Sequence, residues 1–263
     1  LSHEVPDFDV VVFDEASQIP TADAIGAVSR AKQVVVVGDP KQMPPSRLFS
    51  GDDDAADDEQ MDLDSILTEC LGSGMHSVLL NWHYRSRHEH LIAFSNKTYY
   101  GGNLITFPSP DVRTTEQHGL VVHEVNGVYD RGGSGTNFDE AKAVVDALVG
   151  HVSADNQQQS IGVVTFNQKQ QALIERLWDQ ELAAQPNLEE RAQSLHQPVT
   201  IKNLESVQGD ERDVVLFSTT FGRDAQGRFL MNFGPLGQLG GERRLNVAIT
   251  RARDRMEIFS SFH

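Results

Sequence analysis

Short apolar runs alternate along the chain with stretches in which apolar residues recur every three or four positions. Asp9 to Phe13 is almost wholly apolar and ends at Asp14-Glu15, the pattern of a strand buried on both faces of a parallel sheet. Val34 to Val37 repeats it and stops at Gly38-Asp39, with a helix predicted between them over Thr21 to Lys32. The same rhythm gives strands at Gly119 to Val125, Ile161 to Thr165, Asp213 to Ser218 and Met256 to Ser260. Asn137 is placed to cap a helix over Phe138 to about Val152, with Glu140 three residues on as in a capping box. A further helix is expected from Gln168 to Leu182, and an arginine-bearing helix in RRLNVAITRAR, residues Arg243 to Arg253, leads into the last strand. Pro108 to Glu116, Gly132 to Gly135 and Pro186 to Pro198 read as loops. Strands alternating with helices define an α/β architecture with mostly parallel sheets.

Composition bounds the class. With 263 residues and 39% hydrophobic content, the chain can bury a sizeable core. No run of about 18 apolar residues occurs and the N-terminus lacks a signal pattern, so a soluble, cytoplasmic chain with no membrane partner is expected. The one cysteine, Cys70, excludes an intramolecular disulfide and any zinc site of several cysteines. The formal net charge of −16 argues mildly against nucleic acid. Half of it comes from Asp52 to Asp64, where eight carboxylates stand with no cation, a run read as a solvated surface loop because it lacks the turn glycine and terminal Glu of a calcium loop.

Several residues carry candidate chemistry. Ligands bind open parallel sheets at the C-terminal ends of the strands, where both early strands place acidic residues. Adjacent carboxylates there, Asp14 and Glu15, can divide the work of phosphoryl transfer between holding Mg²⁺ and orienting water. GDPKQMPP, Gly38 to Pro45, has paired prolines that fix a rigid exit and hold Gln42 near the same crevice. Tyr84 and Arg85 precede a helical segment whose Leu91, Ile92 and Phe94 face inward, and Gln208, Gly209 and Glu211 sit in the turn before a strand. On a helical wheel Arg244, Arg251 and Arg255 fall within roughly 40° of one another, lining one edge of a packed helix. His83, His88 and His90 lack a cysteine or fixed carboxylate partner and are not read as a metal site, and Phe94, Tyr99 and Tyr100 are read as core.

In order along the chain, VVVFDEAS, VVVVGDPKQMPP, HYRSRHEHLIAFSNKTYYGG, IGVVTFNQKQ, NLESVQGDERDVVLFS and RRLNVAITRAR resemble the motifs of a superfamily 1 helicase, in the branch of RNA-surveillance and Okazaki-processing helicases. The likeness runs from residue 9 to 260. It implies RecA-like, P-loop NTPase sheets flanked by helices, with residues 1–75 the back half of a first RecA-like domain and 76–263 a second. It implies an ATP-dependent motor moving along single-stranded nucleic acid, DNA in preference to RNA. Asp14 would hold Mg²⁺, Glu15 would be the general base, and Gln42, in the motif that also holds Gly38 and Asp39, would sense the terminal phosphate. Tyr84 would stack on adenine, Arg85 and Arg251 would reach the γ-phosphate of ATP, and Gly209 and Glu211 would contact the sugar side. Thr165 would touch the nucleic-acid backbone. Two motifs depart from the family pattern, YRSRHEH where many relatives read YRMHP and ESVQG where an Asp and an aromatic are usual. The ATP contacts therefore carry over more closely than the coupling to nucleic acid.

Arginine suits this task, because its planar, permanently charged fork matches phosphate oxygens. The sequence holds no GxxxxGK followed by Ser or Thr, the loop whose amides and lysine cradle phosphates. The expectation is that the upstream half of the motor supplies it and that these residues alone bind ATP weakly and hydrolyse none. A rival reading is a nucleotide-controlled switch or scaffold that binds ATP without unwinding; a nuclease finds no compact set of metal-binding carboxylates outside Asp14-Glu15.

Overall fold

The computed structural model describes residues 7–45, 65–108, 118–154 and 159–262; the acidic run at 52–64 and most of the 108–116 loop lie outside them. The chain divides into two compact units, residues 1–80 and 81–263.

In the first unit, β1 (Phe8–Phe13) and β2 (Ala31–Val36) pair in parallel and end level with each other, Phe13 opposite Val36. The helix between them, α1 (Thr21–Val28), stops four residues before the predicted Lys32, and those residues pass into β2. A second helix, α2 (Ile66–Gly72), starts at Ser65, whose hydroxyl accepts from the Thr68 N–H at 3.2 Å. Ala16, Ala24, Ile66 and Leu67 form the core, with Phe13 and Val36 packed against it. The prediction that β1 is buried on both faces is corrected. Val11 and Phe13 turn toward that core, whereas Phe8, Val10 and Val12 stand 41%, 47% and 61% exposed, because no described element covers the other face of the two-stranded sheet.

The second unit opens with a small parallel pair, β3 (Trp82–His83) and β4 (Ile105–Thr106), around α3 (His90–Tyr99). Its main sheet contains β5 (Gly119–Glu124), β6 (Ile161–Thr165), β7 (Thr200–Asn203), β8 (Arg212–Gly222) and β9 (Ala252–Ser261). All five are parallel, in the order β5-β9-β8-β6-β7. Crossovers run through α4 (Phe138–Ser153), α5 (Gln168–Ala184), α6 (Pro186–Ser194) and α7 (Gly241–Ile249). Val144, Val145 and Leu148 of α4, Ile174 and Trp178 of α5 and Leu188 of α6 pack on Val163 and Leu216 to form the main core. Phe217, on the other face of β8, meets Phe166 edge-on, so the strand is covered on both sides and reads as a continuous apolar run.

Four expectations in this unit are corrected. Pro186 to Ser194 is a helix, because proline is tolerated at the first helical position and NLEERAQS holds good helix formers. Phe94 is 54% exposed rather than inward-facing, and it meets Tyr99 at the surface. Glu140 does not close a capping box: the Asn137 carboxamide caps α4 through Glu140 N, but Asn137 N donates to Gln170 Oε1. The arginine helix ends at Ile249, where the Thr250 hydroxyl donates to the Asn246 and Val247 carbonyls. Arg251 therefore lies in the junction and Arg255 in β9, so Arg244, Arg251 and Arg255 share no helical edge.

Candidate nucleotide half-sites

The first half-site gathers at the C-terminal ends of β1 and β2. Val37 N donates to Phe13 O at 2.8 Å and Ala16 N to Val37 O at 2.9 Å, stitching the two strand exits together. Between them Glu15 takes a left-handed conformation, φ 50° and ψ 37°, and its N–H donates to Asp14 Oδ1 at 2.9 Å. A non-glycine residue there carries strain of about 1 kcal/mol or more, a cost that clusters at functional turns. The strain points both carboxylates outward, since Asp14 and Glu15 are exposed. Gly38 makes the turn possible: a Cβ on it would lie 3.0 Å from Ser17 N and 3.1 Å from Ala16 N. Asp39 accepts from Lys41 N at 2.8 Å and from Gln42 Nε2 at 3.2 Å, which fixes the Gln42 amide beside the strand ends.

Asp14 fits Mg²⁺ by the chemistry of its surroundings. The ion takes hard oxygen donors from one or two carboxylates and completes its shell with water and phosphate. The described residues supply such carboxylates here and contain no cluster of three His, Cys, Asp or Glu that would cage a metal alone.

The second half-site lies at the N-terminal edge of the main sheet. It draws on the segment after β3, the turn before β8 and the junction before β9. Arg85 Nε donates to Glu211 Oε2 at 2.7 Å, and Arg253 grips the other oxygen of the same carboxylate. Arg253, then Arg85, hold the Glu211 carboxyl below its ordinary range. Arg251 is buried, donating from Nε to Val247 O at 2.7 Å and from Nη2 to Thr250 Oγ1 at 3.2 Å. It thus caps the Val247 carbonyl in the last turn of α7, the negative end of that helix. His83 accepts the Ser86 N–H at Nε2, and burial, Arg85 and Arg251 together lower its pKa to about 4. At neutral pH it is an uncharged acceptor that adds nothing to the positive charge of the arginines. The Tyr84 ring stands 84% exposed, free to offer a face, and Gly209 turns the chain before Glu211 at φ +79°.

Thr165 is not in this cluster. It ends β6 at the C-terminal edge of the sheet, opposite Ser218, whereas Arg212 and Ala252 pair at the other edge. Six residues of strand separate those levels, about 20 Å. Thr165 is fully buried and its hydroxyl donates to Asn167 O at 2.8 Å. Arg253 and His83 join the half-site without having been singled out for it, and the only signal in the sequence was their adjacency to Arg251 and Tyr84. Gln208 has both amide atoms buried without a hydrogen-bond partner, a cost of about 1–3 kcal/mol per group that structures tolerate where a ligand or movement is involved.

Comparison with known proteins identifies the family. Residues 63–262 match one AAA domain family and residues 1–48 a second. The chain is 35% identical over 269 residues to an uncharacterized ATP-dependent helicase of Mycoplasma pneumoniae, 97% of this chain and 23% of that protein. It is 27% identical to the 5'-3' DNA helicase ZGRF1 of Mus musculus, over 97% of this chain and 13% of that protein. Against Regulator of nonsense transcripts 1 of Dictyostelium discoideum it is 27% identical over 94% of this chain and 18% of that protein. The chain belongs to the AAA domain family and, within it, to the C-terminal region of the superfamily 1 helicases of the RNA-surveillance branch. It spans about a quarter or less of the length of these relatives. No helix among the described residues is long and apolar enough to cross a membrane.

Proposed function

We propose that this chain is part of a motor that hydrolyses ATP to move along single-stranded nucleic acid, DNA in preference to RNA. The observation that carries the reading is the gathering of Arg85, 126 residues away in sequence, and Arg253, 42 away, on the Glu211 carboxylate, with Arg251 Nη1 reaching Asp210 O beside them, at one edge of a RecA-like sheet. Such a cluster suits a polyanion, and an arginine presented to a transferring phosphoryl group contributes about 10³ to 10⁵ in rate.

In this reading Glu15 takes the proton of the attacking water, and Gln42, braced by Asp39 on the turn that Gly38 permits, senses the terminal phosphate. Asp14 holds Mg²⁺, which when bound neutralises charge on the β- and γ-phosphates. Tyr84 offers its exposed ring to adenine, Gly209 and Glu211 meet the sugar side, and Arg85 and Arg251 carry charge to the γ-phosphate. Since Arg251 is spent on Val247 O and its neighbours and Arg85 on Glu211, both exchange these partners for phosphate oxygens when nucleotide binds. The role of Thr165 in the strand contact is to hold the 165–167 turn through its bond to Asn167. Lacking GxxxxGK followed by Ser or Thr, these 263 residues hydrolyse no ATP by themselves.

The test is Glu15→Gln in the full-length protein. ATP binding is retained and nucleic-acid-stimulated turnover drops at least a hundredfold; unchanged hydrolysis would dismiss Glu15 as the base. A switch that binds ATP without hydrolysing it has no need of that base, so a wild-type protein with no turnover would favour that reading instead.

A further inference from the structure

Arg85 and Arg253 share the Glu211 carboxylate, one on each oxygen, but they differ in what else holds them. Arg85 reaches it through Nε alone, at 2.7 Å from Oε2, and makes no second hydrogen bond among the described residues. Arg253 binds Oε1 through two nitrogens, Nη2 and, at 3.1 Å, Nε. Its remaining nitrogen, Nη1, stands 3.8 Å from Asp213 Oδ1. Asp213 is itself fixed: its Oδ2 accepts from Ser160 N at 2.9 Å and from the Ser160 hydroxyl at 2.8 Å.

The backbone accounts for the difference. Along β8 and β9, Arg212 pairs with Ala252 and Val214 with Arg255, so Asp213 alone faces both Arg253 and Asp254. A bulge of this kind re-aims a side chain and is over-represented beside active sites. The segment carrying Arg85 is tied to the same bulge. Arg87 N donates to Arg253 O at 2.7 Å, Ser86 Oγ to Ala252 O at 3.3 Å, and Arg87 Nη1 to Asp254 Oδ2 at 2.9 Å. Arg253 is therefore built into the sheet, whereas Arg85 hangs two residues before an anchored backbone by a single side-chain bond. Of the two partners of Glu211, Arg85 is the one able to leave.

The sharing has an electrostatic consequence. A carboxylate with one cation holds it as an undivided ion pair, whereas two guanidinium groups on one carboxylate divide its charge and repel each other, so each is held less tightly. When one departs, the other keeps the half-buried carboxylate from being left with an uncompensated charge, which would be costly.

We propose that Arg253 is a positioning residue of the nucleotide half-site: it keeps Glu211 in place and compensated, so that Arg85 can exchange that carboxylate for the γ-phosphate. This rests on the motor reading above, in which Arg85 serves the phosphate and Glu211 the sugar side, and it gives Arg253 a role that acts through Glu211 and needs no contact with ATP.

The test measures nucleic-acid-stimulated ATP turnover of the full-length protein as wild type, Arg253→Gln, Glu211→Gln and Arg253→Gln/Glu211→Gln, with binding of a fluorescent ADP alongside. Arg253→Gln lowers kcat about tenfold, a part of the about 10³ to 10⁵ that an arginine at a transferring phosphoryl group contributes. It leaves ADP affinity close to wild type, because ADP offers Arg85 no γ-phosphate. In the Glu211→Gln background, removal of Arg253 lowers kcat no further, since a neutral amide holds neither arginine as an ion pair; this non-additivity marks a residue acting through another. Should Arg253→Gln alone fail to fold, the double variant, which leaves no carboxylate without its cations, is compared with Glu211→Gln: equal kcat supports the role and a further drop overturns it. A wild-type kcat in Arg253→Gln, an equal loss in both backgrounds, or a loss of ADP affinity in step with kcat overturns the positioning role alone. A wild-type protein without nucleic-acid-stimulated turnover overturns the motor reading and this proposal with it.

Discussion

Glu257 of β9 lets the energetics of the second unit be measured through one side chain. It is almost fully buried and accepts from His123 Nε2 at 2.7 Å, His151 Nε2 at 2.8 Å and Arg255 Nε at 2.7 Å. Burial by itself would raise its pKa, but His151, Arg255 and His123 outweigh it and hold the carboxyl at about 2, against an ordinary 4.5. A pKa lower in the folded state stabilises the fold wherever the group is ionised. The contribution is complete above pH 4.5 and disappears as the pH falls toward 2. At 1.36 kcal/mol per unit, it amounts to about 3 kcal/mol, a large share of the stability of a typical domain. Glu257→Gln keeps the volume and removes the charge. Urea unfolding followed by tryptophan fluorescence reads this core directly, since Trp178 lies in it. The variant is expected to be less stable than wild type by about 3 kcal/mol at pH 6, with the difference closing as the pH drops through 4.5 toward 2. Two stability curves that stay parallel over that range would refute the claim that the three donors hold an ionised carboxylate.

Substitutions at two further positions probe the frame of each unit. Gly38→Ala sets a methyl against the backbone nitrogens of Ala16 and Ser17, which have no flexible end to yield. A loss of about 1–3 kcal/mol in thermal unfolding and a collapse of ATP turnover in the full-length protein are expected, and a fully active variant would contradict the tight-turn argument. Glu140→Ala orphans the Ser218 and Ser261 hydroxyls and Thr220 N, a loss of about 3–5 kcal/mol from the rules for buried hydrogen-bonded charges. Burial raises the Glu140 pKa against the pull of those donors, so its proton-linked stability is fully present below pH 4.5 and fades as the pH rises; Glu140→Gln, neutral throughout, shows no such dependence in a pH series of melts.

Much of this was legible in the chain itself. Ile161 to Val164 carries no polar side chain, as suits a strand covered on both faces, and Asn137 announces its helix because a carboxamide accepts the orphan N–H of Glu140. The early carboxylates, the Gly38 turn and the arginines near the C-terminus were likewise visible, since residue type and order along the chain suffice to recognise them. Periodicity alone misleads near the C-terminus, because apolar Leu245, Ala248, Ile249, Ala252 and Met256 continue a helical spacing across a point where the backbone changes from α7 to β9.

Tertiary structure decided the rest, because hydrophobic pattern records which side of an element is buried but not what lies against it. β1 carries the composition of a central strand, yet its exposed Val10 and Val12 follow from what packs on the described sheet. Thr165 and Arg251 belong to motifs of one unit, yet parallel pairing sends the end of β6 to one edge of the sheet and the start of β9 to the other. The partnership of Glu211 with Arg85 and Arg253 arises from segments 126 and 42 residues away in sequence. Electrostatic interaction depends on distance through space, and that distance is fixed only when the strands are in register.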